Sequence, residues 1–142
     1  MIRPYQSGDK SAVISIWREA STLAHPFLTA DQMDQAAAMI RDHFLDIAET
    51  YIADQHGKPV GFIALMGNEV GGLFLRPDYH GQRIGKALMD QAVKAHGALS
   101  LEVFKDNTIG RRFYQSYGFV EGAEKMDAFF GHKVLKLSLT QS

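Results

Sequence analysis

The stretch with the most chemical content runs from residue 73 to residue 89. Leu73, Phe74 and Leu75 form an apolar, strand-like segment, Arg76-Pro77 opens a loop that closes near Gly81, and Gln82, Arg83, Ile84, Gly85, Lys86 and Ala87 lead into a helical pattern. A helix start offers main-chain N–H groups without internal partners at the positive end of the helix dipole, and Gly or Ala there lets an anion come close. A pyrophosphate suits such a place. The common nucleotide fingerprints are absent, since neither G-x-G-x-x-G nor a Lys-Ser/Thr pair behind a glycine loop occurs. Other reactive side chains are dispersed. Glu69 and Glu102 adjoin strand-like segments, Tyr114 lies in an aromatic run, and His25, His43 and His80 are of the residue type best suited to base work but have no partner legible in the sequence. No pair of histidines shares a helix face with a third carboxylate ligand, so no metal site is expected. With no Cys, thiolate catalysis and disulfides are excluded.

Positioning these groups requires elements, and the pattern supplies them. Residues 2–5 read as a first strand. Val13, Ile14, Ile16, Trp17, Ala20 and Leu23 recur at helical spacing behind the cap Ser7-Gly8-Asp9, and Pro26 stops that helix. A second helix is capped by Thr29 or Asp31 and continues through Met33, Ala36, Ala37, Ile40, Phe44 and Ile47. Strands at 50–53, 60–66 and 70–75 follow as an antiparallel meander, joined by His56-Gly57-Lys58-Pro59 and by Gly67-Asn68. A third helix runs from Ile84 to near Gly97, a strand occupies 99–103, and Asn107 opens a fourth helix that Gly118 ends. Segments 119–123 and 133–139 complete the strands. This mixture predicts an α/β (α+β) domain spanning 1–142, with helices crossing between strands of one central sheet.

Composition bounds the partners. The 142 residues are 46% hydrophobic, enough for one sizeable core, and 15 basic against 16 acidic residues leave a net charge of -1. Nucleic acid is therefore not an expected partner. No segment approaches the ~20 apolar residues of a membrane span, so a cytoplasmic protein without a membrane partner is expected. Arg111 and Arg112 beside Lys105, with Asp106 and Glu102 nearby, read as a solvated face. Phe129-Phe130-Gly131 reads as an apolar turn for core or interface packing, which leaves monomer and homodimer both open.

Gln82-Arg83-Ile84-Gly85-Lys86-Ala87 resembles the Q/R-x-x-G-x-G/A acetyl-coenzyme A motif of the GNAT superfamily of N-acetyltransferases. Leu73-Phe74-Leu75-Arg76-Pro77 is similar to the signature strand and proline before that motif. Asn107 followed by Phe113-Tyr114-Gln115-Ser116-Tyr117-Gly118-Phe119 is similar to its N…F-Y-x-x-x-G-F signature. The likeness extends in element order over the whole chain, within the family toward its small bacterial YjaB-like branch. It implies a GNAT fold, with a mixed twisted sheet of six or seven strands and about four helices.

The resemblance also implies roles. Acetyl passes directly from acetyl-CoA to an amine of a small molecule or protein, without metal and without an acyl-enzyme. Leu73, Phe74 and Leu75 pair their main chain with the pantetheine arm, the Leu75 N–H facing the thioester oxygen. The main chain of Gln82, Arg83, Ile84, Gly85, Lys86 and Ala87 holds the pyrophosphate, with help from the Arg83 or Lys86 side chain. Tyr114 supplies the proton to the coenzyme A thiolate, or else packs as a helix aromatic. Asn107 caps the fourth helix and bonds the pantetheine arm, or only caps. Glu69 is the first candidate base and Glu102, whose side chain alternates away from Leu101 and Val103, the second. The loop at His25-Pro26-Phe27 belongs to a region that lines the acceptor pocket in this superfamily. A non-catalytic acyl-CoA-binding or sensor module is the rival reading, and it would need neither Tyr114 nor a base.

Overall fold

The computed structural model describes residues 1–140. Seven strands form one sheet in the order β1-β2-β3-β4-β5-β7-β6. They are β1 (Ile2–Pro4), β2 (Glu49–Gln55), β3 (Lys58–Met66), β4 (Glu69–Leu75), β5 (Leu99–Phe104), β6 (Val120–Asp127) and β7 (His132–Leu139). Neighbours run antiparallel except β4 and β5, which are parallel. That one parallel step needs a crossover helix, α4 (Ile84–His96).

Each face of the sheet carries its own core. On one face, α4 and α5 (Thr108–Tyr117) cover Ile63, Leu65, Leu101, Val103 and Leu137 with Leu88, Met89 and Tyr114. On the other, α1 (Lys10–Ala24) and α2 (Ala30–Met39) cover Ile52, Phe62 and Ala64 with Val13, Ile16, Trp17 and Met33. The alternation within β3 explains the split, because Phe62 and Ala64 point one way and Ile63 and Leu65 the other.

Thr29, of the two caps the sequence offered, opens α2, its hydroxyl accepting from the Gln32 N–H at 3.1 Å while the Gln32 side chain accepts from the Thr29 N–H at 3.0 Å. The continuous helix expected to Ile47 is broken. After Met39 the chain makes a π-helical turn, Ile40–Phe44, and then a short α3, Leu45–Ile47. The wider turn shifts the apolar face by one residue, so Leu45 is buried and Ile47, expected inside, is 68% exposed. β6 is longer than the expected 119–123 because most of it is exposed at the sheet edge. Its apolar alternation gives way to charges, and Glu121, Glu124 and Lys125 pair with Arg111, Lys105 and Glu102.

Candidate functional site

The site begins where the sheet parts. β4 and β5 pair only through Glu69 with Ser100 and Val70 with Leu101. Beyond those two steps β4 continues to Leu75 and β5 to Phe104, and the space between them is a cleft of about 1050 Å³. Residues 71–75 form one wall of it and 101–104 the other.

Main-chain alternation decides what β4 presents to that space. The Arg76 N–H bonds the Val60 carbonyl at 2.8 Å, and the register pairs Phe62 with Phe74 and Ala64 with Gly72. Those residues therefore spend their peptide groups on β3, whereas the groups of Leu73 and Leu75 point away from β3 into the parting. Of the three signature residues, Leu73 and Leu75 offer main-chain groups to a ligand and Phe74 does not. The Phe74 side chain faces α1 and α2, its ring 5.5 Å from Phe62. The register also slips between Ala64 and Leu65, leaving Gly71 as an extra residue in β4. A Cβ at Gly71 would lie 2.5 Å from Phe44 Cζ, so glycine is what allows the ring of the π-helical turn to cover this strand.

The start of α4 lies on the same cleft. Gly81 at φ 83° and Arg83 at φ 63° turn the loop sharply, the second at a cost of roughly 1–2 kcal/mol for a residue with a Cβ. Arg83, Ile84, Gly85 and Lys86 line the cleft. The Ala87 N–H is bonded to the Arg83 carbonyl at 3.1 Å, so the uncommitted donors of this first turn are those of Ile84, Gly85 and Lys86. Gln82 and Ala87 are exposed and lie outside the cleft lining among the described residues. Gly85 packs α4 against α5, since a Cβ there would meet Phe113 Cε1 at 3.1 Å. Lys86 bonds Asp90 at 2.8 Å, and Asp90 also accepts from the Tyr117 hydroxyl at 2.6 Å. Arg83, Lys86 and Arg112 make this side of the cleft cationic.

Tyr114 lies between Phe113 and Phe119, with ring centroids 5.5 and 5.6 Å away, and lines the cleft while 9% exposed. Burial raises its pKa well above the ordinary phenol range, so the hydroxyl keeps its proton throughout physiological pH. Asn107 does more than cap. Its Oδ1 accepts from the Gly110 N–H at 2.8 Å, which turns Nδ2 toward His25 Nε2 at 3.1 Å. The amide must donate, so Nε2 accepts and His25 is neutral with its proton on Nδ1. Burial agrees, pushing the His25 pKa down to about 4.

Around His25 the far wall is aromatic. Phe104 lies 4.9 Å from the His25 ring, Phe27 5.7 Å, and Phe130 5.3 Å from Phe104. Phe129-Phe130 is thus neither deep core nor a free turn: both rings line the cleft, and the Phe130 carbonyl is tied to α2 by the Gln32 amide at 3.0 Å. Glu102 lines this wall and pairs with Lys125 at 2.7 Å. Glu69 is elsewhere. It is exposed at the hairpin end of β4, where the sheet is still closed, and does not line the cleft. Phe44, Phe104 and the His25–Asn107 pair were missed by sequence reasoning. Phe104 alone had a signal, since it alternates with Leu101 and Val103 onto the face of Glu102.

Residues 46–121, more than half of the chain, match the family model described as Acetyltransferase (GNAT) domain. The chain belongs to the GNAT acetyltransferase family. Its relatives include the peptidyl-lysine N-acetyltransferase YiaC of Escherichia coli K12, 34% identical over 120 residues that cover 84% of this chain and 82% of that one. The peptidyl-lysine N-acetyltransferase YjaB of Salmonella typhimurium LT2 is 34% identical over 125 residues, covering 87% and 84%. In three dimensions the acetyltransferase is similar to apo YjaB from Escherichia coli, with a TM-score of 0.89 and 25% identity over 100% of this chain and 98% of that one. The expected fold, the acetyl-CoA-dependent N-acetyltransferase activity and the YjaB-like kinship all stand. No helix among the described residues is long and apolar enough to cross a membrane.

Proposed function

We propose that this acetyltransferase modifies the side-chain amine of lysine residues in proteins, acting as a single cytoplasmic domain where acetyl-CoA is available and without a nucleic-acid partner. The observation that carries the reading is the parting of β4 from β5. It leaves Leu73 and Leu75 with unpaired peptide groups on one edge and sets Tyr114 within the same cleft. An extended arm that itself carries amides, as pantetheine does, pairs with such an edge as an added strand would. The pyrophosphate then falls at the turn from Gly81 to Lys86, beside Arg83 and Lys86. Asn107, with one N–H and one lone pair uncommitted, is within the lining to bond the arm.

In the reaction the neutral lysine nitrogen attacks the thioester carbonyl carbon. The developing oxyanion is bonded by the Leu75 N–H, the C–S bond breaks, and the thiolate takes the Tyr114 proton. The nitrogen's surplus proton leaves to Glu102 through water, the exposed position of Glu69 making it the second choice. A lysine ammonium must lose a proton before attack, and the surrounding rings of Phe44, Phe104 and uncharged His25 favour the neutral amine by desolvation. The lysine assignment draws on the names of the relatives and on a cleft wide enough for a side chain on a polypeptide. Incubating the pure protein with acetyl-CoA and lysine peptides, free polyamines or peptides blocked at lysine tests it. Thiol release with the unblocked lysine peptides alone is expected, and turnover of polyamines only would overturn the assignment.

A further inference from the structure

The outer rim of the cleft has a composition that acetyl transfer itself does not require. Among the described residues nine large apolar side chains stand exposed, and five of them, Leu23, Met39, Ile47, Ile109 and Phe129, border this one cleft. Exposed apolar groups scatter singly on an ordinary surface, so their concentration at one mouth marks a contact surface. Ile109 belongs to α5, on the side of the cationic α4 turn. The other four come from the end of α1, the end of α2, α3 and the β6–β7 turn, and they line the same cleft as His25 and Phe104.

This rim is built rather than loose. Phe129 stands edge-on to Phe130 at 4.6 Å, Phe130 rests on Phe104, and the Gln32–Phe130 bond fixes the turn to α2. A second hydrogen bond, from the Phe130 N–H to Asp127 at 2.9 Å, shapes the turn itself. The carboxylates facing this half of the cleft are Glu102 and Asp127, while the cations Arg83, Lys86 and Arg112 lie on the α4–α5 side. With Glu102 already paired to Lys125, Asp127 leaves this half without surplus positive charge, so it gives acidic neighbours no attraction, and it offers apolar contact to whatever the amine is attached to.

We propose that Leu23, Met39, Ile47 and Phe129 form a subsite for an apolar side chain adjacent in sequence to the acetylated lysine. The preferred acceptor is then an exposed protein segment that joins lysine to Leu, Met or Phe and carries no carboxylate beside it. This inference rests on the lysine reading above. Its physical basis is that a side chain laid on a preformed apolar surface removes apolar area of both partners from water, and the gain appears in kcat/KM.

The test uses two peptides with one lysine each and blocked termini, one flanked by Leu and Phe and the other by Gly, with saturating acetyl-CoA. The parent protein is expected to prefer the apolar-flanked peptide by about tenfold in kcat/KM. In the double variant Met39→Ser/Phe129→Ser the ratio is expected to fall to within about twofold of unity. Both positions are half exposed, so folding is not at stake. Equal turnover of the two peptides by the parent overturns the subsite and leaves the lysine reading standing. A preference that survives in the double variant also overturns it. Failure of both peptides while a small amine is acetylated removes the lysine reading and this inference together. A concentration-dependent dimer in sedimentation that the double variant abolishes would assign the rim to a second copy of the chain instead.

Discussion

His25 makes a stability prediction that can be worked through to a number. In the unfolded chain its imidazole protonates near 6.5, whereas in the fold burial holds the pKa down to about 4. Between those values the unfolded state binds more protons than the native one, so stability falls as pH drops below 6.5 and the loss is complete below 4. Linkage puts this at about 2 kcal/mol between pH 7 and pH 5, rising to about 3 kcal/mol in full. The perturbation is His25→Gln, whose amide oxygen still accepts from Asn107 but cannot titrate. Urea unfolding followed by the fluorescence of the single, buried Trp17 measures both proteins at several pH values. The carboxyl of Asp9, held low by the Arg3 guanidinium, is common to both proteins and loses its contribution only within and below the ordinary carboxylate range. The parent is expected to lose about 2 kcal/mol more than the variant between pH 7 and pH 5. Parallel losses in the two proteins would refute the account of a buried, neutral histidine.

Replacing Tyr114 by Phe is expected to lower kcat about 100-fold, equivalent to about 2.7 kcal/mol, with KM for acetyl-CoA little changed and the thermal midpoint unchanged or raised. A rate within a factor of two of the parent would remove Tyr114 from the chemistry. Gly85→Val places side-chain carbon against both Phe113 and the free donors of the α4 turn. Calorimetric titration should show coenzyme A affinity falling more steeply than stability, which drops by about 1–3 kcal/mol. Asn107→Ala removes the cap of α5 and the donor to His25 together, at about 2 kcal/mol in chemical denaturation. An unchanged midpoint would mean that neither hydrogen bond persists in solution.

Much of this was legible in the order of residues because it depends on short-range rules. The meander of β2, β3 and β4 follows from apolar runs separated by Gly57 and Gly67, both with positive φ, and α5 begins at Asn107 and ends at Gly118 for local capping reasons. The α4 turn was legible from Gln82 to Ala87, yet only coordinates separate Ile84, Gly85 and Lys86, whose amides are free, from Ala87, whose amide is not. Periodicity carried the second helix to Ile47 because a single π-helical turn displaces the face by only one residue, and nothing in composition announces it. Glu69 and Glu102 were ranked by their places in strands. Their separation depends instead on where β4 and β5 cease to pair, a tertiary matter. His25 and Asn107 are 82 positions apart, and no local rule joins them.

The two-step pairing of β4 with β5 has a consequence for the protein at rest. A seven-stranded sheet stitched at its middle by so short a seam is mechanically two half-sheets, β1 to β4 and β5 to β7, leaning on a common hinge. On the function proposed above, the cosubstrate would lie along the seam and complete the fabric that the polypeptide leaves unfinished. Binding to the native state alone adds about 2.7 kcal/mol at a hundredfold excess over Kd, so the enzyme is expected to be sturdiest when acetyl-CoA is plentiful and to loosen each time product departs.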